Sequence, residues 1–222
     1  MTPLASRAQP RSIRASGFSL VEMAIVLVIF ALLAGGLMMT LTTQQEILRL
    51  SEARRQLADI REALLGYAVI NGRLPSPADP SIASGSANAG IAATTLTSGV
   101  LPWATLGLPE TDPWGQRFTY RVSANFVTPF TIASVGNIDI TDGAVMIAED
   151  QPAIVISHGR NGLGGYRSTG LQVAGALGDE LENADADLTF VSRTQGANFD
   201  DEATWVPLPI LMSRMIAAGR LP

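Results

Sequence analysis

Gly17-Phe18-Ser19-Leu20-Val21-Glu22 is the stretch that decides the fold, because it leads directly into an apolar run over residues 23–41. That run contains no charged side chain. At about 1.5 Å per residue, a helix over residues 18–41 is roughly as long as the ~30 Å hydrocarbon core of a bilayer. Soluble core helices rarely stay apolar on every face for this length. The sequence therefore predicts a membrane-spanning helix over residues 18–41.

Three arginines, Arg7, Arg11 and Arg14, precede this run. A secretory signal peptide also places basic residues before an apolar region, but here the apolar region is longer and no small-residue cleavage site ends it. Positive residues flanking a span remain on the cytoplasmic side. We therefore expect residues 1–17 in the cytoplasm and the chain after residue 41 on the other side of the membrane.

Glu22 is the anomaly of this segment, because a carboxylate in a membrane span costs on the order of 2 to 3 kcal/mol, and less if it reaches the interface. One interpretation is an interfacial carboxylate that the dipole of the helix N-terminus stabilises. The other is one half of an ion pair. Cleavage between Gly17 and Phe18 would create an α-amino group about one helical turn from Glu22, in the same chain or in a neighbouring subunit, and pairing would offset the burial cost.

The stretch and its apolar run resemble the N-terminal signature of class III prepilins, the superfamily of type IV pilins and type II secretion pseudopilins. In that signature a glycine precedes the cleaved bond, an aromatic first mature residue becomes N-methylated, and a glutamate follows at the fifth mature position. Gly17, Phe18 and Glu22 match this pattern. The resemblance covers about residues 11–70, and it implies cleavage after Gly17, methylation of Phe18 and a role of Glu22 in assembly.

The charge of the chain limits which kinds of partner it can bind, and its lack of cysteine limits which interactions can stabilise its fold. The chain has a net charge of −5, and removing the three arginines of residues 1–17 leaves −8 on the remainder. Because phosphate binding needs clustered cations, we expect no nucleic acid partner. The chain has no cysteine, so the exported part must be stabilised by its core or by a bound ion. About 150 residues follow the helix, which is enough for one compact domain.

The helical pattern continues beyond the predicted span as an amphipathic stem over residues 42–70. Its apolar positions recur at spacings of three, four and seven, which is typical of a helix that packs one face on a domain: Ile47, Leu50, Leu57, Ile60, Leu64 and Tyr67. Asn71-Gly72 predicts its end. Gly35 and Gly36 interrupt the span, and two interpretations stand: local bending or melting when subunits pack, or close approach of a neighbouring helix.

The remainder, residues 71–222, predicts an extracytoplasmic domain. Short strands bounded by turn residues are expected over residues 117–122, 130–134, 144–148, 153–157 and 188–192, and a C-terminal helix over residues 207–216 ends at Gly219. A long helix followed by several short strands predicts an α+β fold, in which a small, mainly antiparallel sheet lies against the apolar stripe of the stem.

Residues 72–116 form a long irregular connection, which makes them a candidate variable or partner-facing surface. The low-complexity middle of this connection, residues 81–98, is equally consistent with a plain mobile insertion. The connection closes with Asp112-Pro113-Trp114-Gly115. This tetrapeptide is similar to the segment that leads into the sheet of major pseudopilins.

Catalysis is not expected. His158 is the only histidine, and its neighbour Ser157 would point to the opposite face of a strand, so the two are poorly placed to act as nucleophile and base. We expect His158 to be a hydrogen-bonded loop residue.

An acidic run is a candidate metal site: Asp179, Glu180, Glu182, Asp185 and Asp187, with Asp200, Asp201 and Glu202 further on. Oxygen ligands on a flexible loop suit calcium, although such runs are commonly solvated surface. Some pseudopilins hold calcium in a C-terminal loop, and the resemblance extends that expectation to this run.

Two classes of function remain. The first is a structural subunit of a type IV pilus-like or type II secretion filament. Its partners would be a prepilin peptidase, other pilin or pseudopilin subunits and an inner-membrane assembly platform. It would cross the inner membrane once, with a periplasmic C-terminal domain, before joining a periplasmic or cell-surface filament. The second class is a membrane-anchored extracytoplasmic binding module that never polymerises. Glu22 favours the first class, because a monomeric tether gains nothing from an intramembrane carboxylate.

Overall fold

The computed structural model describes residue 17, residues 19–185 and residues 187–222, without side-chain detail for residues 34–42. The chain divides into two compact units, Met1–Glu46 and Ile47–Pro222. One helix, α1 (Leu20–Asn71), contributes residues to both. Its end at Asn71 is where the sequence predicts it, and Gly72 follows with a φ of 72°, a left-handed conformation that glycine adopts without strain.

The first unit contains the N-terminal part of α1, whose large apolar side chains are exposed over residues 20–33. Within the described residues, no helix is both long and apolar enough to cross a membrane. The span expected over residues 18–41 includes positions outside that description and stays a prediction. Gly35 and Gly36 lie inside α1, and the bending proposed for them stays a prediction as well.

In the second unit, the predicted apolar stripe of α1 is buried from the middle of the stem to its end. Leu57, Ile60 and Leu64 are buried in the main core together with side chains of the sheet and of the C-terminal helix. Ile47, in contrast, is 60% exposed, and the prediction that it packs on the domain was wrong. Within the second unit, Ala53 is the first buried residue of α1, so Ile47 precedes the part of the helix that packs on the domain.

Among the described residues of the second unit, nine short strands and three further α-helices follow α1. In chain order they are β1 (Ser98–Val100), α2 (Trp103–Leu106), β2 (Gln116–Arg117), β3 (Thr119–Val122), β4 (Ile138–Thr141), β5 (Met146–Gln151), β6 (Ala153–Ser157), β7 (Tyr166–Arg167), α3 (Asp179–Glu182), β8 (Thr189–Val191), β9 (Glu202–Val206) and α4 (Leu208–Ala217). The main sheet has the order β1-β3-β6-β9 and is antiparallel throughout. A second sheet has the order β5-β4-β8, with β4 and β8 parallel, and β2 pairs with β7.

The two faces of the main sheet serve different cores, because side chains alternate along a strand. Tyr120 and its cross-strand neighbour Val155 belong to the core under α1. Ile154 and Ile156, which alternate with Val155, pack against side chains of the second sheet. The α+β fold, with a helix on a small and mainly antiparallel sheet, is therefore confirmed.

Individual strands depart from the prediction in informative ways. Residues 153–157 form β6 as expected, and strands also occur close to 117–122, 144–148 and 188–192. The strand expected over 130–134 is absent: Phe130 packs on Phe126 with ring centroids 4.8 Å apart, and the backbone N–H of Thr131 donates to the Ser134 hydroxyl in a turn. Strands β1, β4, β7 and β9 were not predicted.

The connection over residues 72–116 is more ordered than the pattern suggests. It contains β1 and α2, and its residues 74–78 are buried. A segment buried in this way does not form a partner-facing surface, so that interpretation is wrong for residues 74–78.

Candidate functional site

The start of α1 is capped by Ser19 and Glu22. The Ser19 hydroxyl accepts a hydrogen bond from the backbone N–H of Glu22, and the Glu22 carboxylate accepts one from the backbone N–H of Ser19. This reciprocal arrangement is a capping box. Both residues are exposed. Gly17 is also exposed, whereas Phe18 lies outside the described residues, so cleavage and methylation at this bond stay predictions.

A second cluster forms where α3 meets the turn that precedes β9. One carboxylate oxygen from each of Glu180, Asp200 and Asp201 lies within 4.8 Å of the others. Of the acidic run in the sequence, only Glu180 joins this cluster. The other two members, Asp200 and Asp201, are among the acidic residues that the sequence places further on, and folding brings them next to a residue about twenty positions earlier in the chain.

The remaining acidic residues of the run have other local roles. Asp179 pairs with Arg193, with 2.6 Å between its Oδ2 and the Nε of Arg193. Asp185 accepts from the backbone N–H of Asp187, and Asp187 accepts from that of Thr189, so both organise the turn into β8. A fifth residue of the run, Glu182, is not in the cluster, and its pKa is raised by burial and by neighbouring carboxylates.

Two asparagines hold the cluster in place. The Asn161 side chain donates to Glu180 at 2.8 Å, while its backbone N–H donates to Asp200 at 3.0 Å. The Asn183 side chain donates to Asp201 Oδ2 at 2.8 Å, and its own oxygen accepts from the backbone of β8. These bonds link α3, the loop after β6 and the entry to β9.

The cluster lacks part of its hydrogen bonding. In the portion of the chain that the structure describes, Oδ1 of Asp200 and Oδ1 of Asp201 are buried without a partner. Asp201 is only 2% exposed, and burial raises its pKa to about 8. Burial also raises the pKa of Asp200. Buried carboxylates of this kind need either a proton or a cation to balance them.

The donor set fits a hard cation. Calcium takes six to eight oxygen ligands and accepts carboxylates in flexible geometry. Glu180, Asp200 and Asp201 supply three carboxylates, and two of their oxygens have no other partner in the described structure. A polar cavity of about 530 Å³ lies beside them, with Glu180, Asn161 and Arg193 in its lining.

His158 is a buried neighbour of Asp201 in the acidic cluster. It is fully buried, its Nε2 lies 2.8 Å from the Thr119 hydroxyl, and its Nδ1 lies 3.7 Å from Asp201 Oδ1, which is too long for a hydrogen bond. Burial lowers the pKa of His158 to about 4, so the ring is neutral at physiological pH. It is a hydrogen-bonded loop residue immediately after β6, as expected.

Ser157 serves a different partner. Its hydroxyl donates to Oδ2 of Asp112 at 2.7 Å, in a buried contact. The other oxygen of Asp112 accepts from the backbone N–H groups of Trp114 and Gln116, which folds the Asp-Pro-Trp-Gly turn around the carboxylate. Ser157 and His158 therefore bond to separate groups, and the turn that the sequence singled out is anchored to β6.

Comparison with known proteins gives two family matches. Residues 40–151 match the model described as type II secretion system (T2SS), protein G. Residues 13–38 match the model described as prokaryotic N-terminal methylation motif. Among curated proteins and among solved structures, no match to the chain was found.

Proposed function

The chain belongs to the type II secretion system protein G family, and on that premise we propose that it is a structural subunit of a type II secretion or type IV pilus-like filament. In this proposal a prepilin peptidase cuts after Gly17 and methylates Phe18. The N-terminal helices of mature chains then bundle, and the second unit faces the periplasm or the cell surface. Its partners are the peptidase, other subunits of the filament and an inner-membrane assembly platform.

The observation that carries the proposal is the position of the methylation-motif match, which spans Gly17, Phe18 and Glu22. Methylation motifs belong to subunits that are cut and then assembled through the helix that follows. Glu22 supports the same interpretation. Its carboxylate lies in the first turn of α1, close in sequence to the amine that cleavage would create.

The competing function is a membrane-anchored binding module that does not polymerise. It would also have an N-terminal helix and a periplasmic domain, so the fold does not separate the two. They differ in what happens to the N-terminus, because a simple anchor has no use for a methylated Phe18 or for a charge beside it.

Mass spectrometry of the N-terminus tests the proposal. In cells with an active prepilin peptidase, the mature chain should begin with methylated Phe18, and a peptidase deletion should leave residues 1–17 attached. A chain that keeps those residues in the presence of the peptidase would overturn the proposal. Filaments isolated from the same cells should contain the cleaved form alone.

We also propose that Glu180, Asp200 and Asp201 hold a calcium ion that stabilises the second unit. The ion would neutralise the carboxylates and tie α3 to the entry of β9, the strand that completes the main sheet beside β6. Because the chain has no disulfide, a metal link between these segments would replace a covalent one.

Calcium titration checks this second proposal on the full mature chain in detergent. We expect saturable binding by calorimetry and a rise in melting temperature that a chelator reverses. Asp201→Asn should abolish both effects, whereas Asp185→Asn, which changes an exposed residue outside the cluster, should leave them unchanged. A melting temperature unmoved by calcium and by chelator would refute the site.

A further inference from the structure

A second pocket, distinct from the acidic cluster, opens beside the edge of the main sheet. Its volume is about 220 Å³. Its lining comes from β1, β3, the glycine-rich loop after β6 and the segment around β8: Ser98, Thr119, Arg121, Gly164, Tyr166 and Asn183. Phe190 of β8 forms its apolar side. No function considered so far uses it.

The alternation of β3 explains why a charged side chain lines this pocket. Tyr120 and Val122 are buried in the core under α1, so Thr119 and Arg121 belong to the opposite face of the strand. On that face the neighbouring strand presents Ile154, which packs against the second sheet. Arg121 therefore lies at the border where the apolar contact between the two sheets gives way to the cavity.

Arg121 is incompletely satisfied in this position. Its Nε is buried and has no hydrogen-bond partner in the part of the chain that the structure describes. Burial lowers the pKa of its guanidinium, and the charge of Asp187 acts in the opposite direction. The Asp187 carboxylate, however, accepts from the backbone N–H of Thr189. An arginine donor buried without an acceptor costs free energy until an acceptor is supplied.

The other polar groups of the pocket do not supply that acceptor. The Thr119 hydroxyl bonds to His158, and the Asn183 side chain is committed to Val191 and Asp201. A cavity of 220 Å³ has room for several non-hydrogen atoms beyond a single water, whose share of liquid volume is about 30 Å³. The residue that carries the unpaired Nε–H is thus also one of those that line the free volume.

We propose that this pocket binds a carboxylate group through Arg121. A guanidinium presents parallel donors that match the two oxygens of a carboxylate. A monoanion suits the site better than a phosphate, because the nearby charge of Asp187 repels a second negative charge. The carboxylate belongs either to a small free acid or to an acidic side chain of another copy of the chain, since both present the same group.

Nuclear magnetic resonance on the full mature chain in detergent tests the binding. The probe is propionate, with propionamide as a neutral control of similar shape, at constant ionic strength. We expect saturable shifts of the Arg121 Nε–H and of the Thr119 and Gly164 amides with propionate only. Arg121→Gln should weaken the effect on the two amides at least about tenfold, corresponding to one charge-assisted hydrogen-bond pair. Arg49→Gln, a change at an exposed stem arginine, should not weaken it.

Absence of saturation in the wild type, or equal amide shifts in Arg121→Gln, would overturn the proposal. Arg121→Lys provides a second variant, which keeps the positive charge but lacks the parallel donors of the guanidinium. It should therefore bind more weakly than the wild type while folding normally. Circular dichroism establishes the folded state of each variant.

Filament yield then identifies the source of the carboxylate. Of the measurements on this pocket, only this one depends on the proposed filament function. A lower yield with Arg121→Gln than with Arg49→Gln assigns the group to a neighbouring copy. Equal yields assign it to a free acid.

Discussion

The Glu22 carboxylate and the Ser19 hydroxyl each accept a hydrogen bond from the other's backbone N–H, both at 3.1 Å. In the single chain, Glu22 is therefore already satisfied as part of a helix cap. Its proposed role in the filament requires the same carboxylate to face the new amine of Phe18. Capping and pairing are thus two separable functions of one side chain.

Glu22→Gln separates them, because glutamine also completes a capping box but carries no charge. If pairing drives assembly, Glu22→Gln should lower filament yield at least about tenfold, as Glu22→Ala should, while cleavage continues. Ser19→Ala is the matched control: it weakens the cap by about 1 kcal/mol but leaves the charge, and its yield should stay near that of the wild type. Normal yield with Glu22→Gln would restrict Glu22 to capping.

The acidic cluster predicts a stability that depends on pH in the absence of calcium. Asp201 has a pKa of about 8 in the folded chain and about 4 when unfolded, so the folded state retains a proton that the unfolded state releases, and stability falls as pH rises through that window. His158, with a pKa of about 4 when folded and about 6.5 when unfolded, gives the opposite slope up to pH 6.5. Between about pH 6.5 and 8, the loss due to Asp201 remains uncompensated.

Urea denaturation with chelator at pH 6.5 and pH 8 measures this loss, which we expect to be about 1 to 2 kcal/mol. Asp201→Asn should remove the difference between the two pH values. Saturating calcium should remove it in the wild type as well, because a bound cation replaces the proton. An equal loss in Asp201→Asn would assign the pH dependence to other groups.

Arg117 is predicted to be a major source of stability. It is fully buried and donates to Glu110 and to the backbone carbonyls of Pro80, Ile82 and Ser168, with its guanidinium 4.7 Å from the ring of Trp103. Lysine cannot reproduce this planar set of donors. Arg117→Lys should therefore lower the free energy of unfolding by about 3 kcal/mol in urea denaturation.

An exposed arginine on the paired strand provides the control for this experiment. Arg167 lies on β7, beside β2, and Arg167→Lys should change the free energy of unfolding by less than about 0.5 kcal/mol. Equal effects of the two substitutions would show that the buried contacts of Arg117 contribute little.

Ser157 offers a similar test in the core of the sheet. Ser157→Ala removes the donor to Asp112 and leaves a buried carboxylate oxygen without that partner, at a cost of about 1 to 3 kcal/mol. Ser123→Ala is the matched change, because the Ser123 hydroxyl is buried with no partner in the described structure. Removing it should be neutral or stabilising. Thermal unfolding followed by circular dichroism distinguishes the two, and the reverse order would contradict the hydrogen-bond assignment.

The sequence predicted those features of the fold that depend on local periodicity. The stem of α1, its end before Gly72, β6 and α4 each have a strong pattern or clear flanking residues. Strand β9 was missed because Glu202 continues an acidic run that reads as solvated loop. The strand exists because it pairs along β6, a contact that no local pattern reveals.

The candidate sites also divide into one that a local sequence pattern reveals and two that form only when the chain folds. Gly17, Phe18 and Glu22 lie within six consecutive residues and match a pattern that is visible directly in the sequence. The cluster of Glu180 with Asp200 and Asp201, and the pocket around Arg121, depend on side chains that come together only after folding. Arg121 in particular follows Tyr120 in an ordinary alternating strand, and nothing in that alternation marks it as lacking an acceptor.

The contribution of the C-terminal residues to the core has a consequence for synthesis. Val206 of β9 and Leu211 and Met215 of α4 share the main core with Leu64 of α1. Because the ribosome makes the N-terminus first, the helix is complete long before the surface that buries its apolar stripe exists. The main core therefore cannot close until α4 has been made, and a premature stop codon after β8 would remove Val206, Leu211 and Met215 from the side chains that pack with the stem of α1.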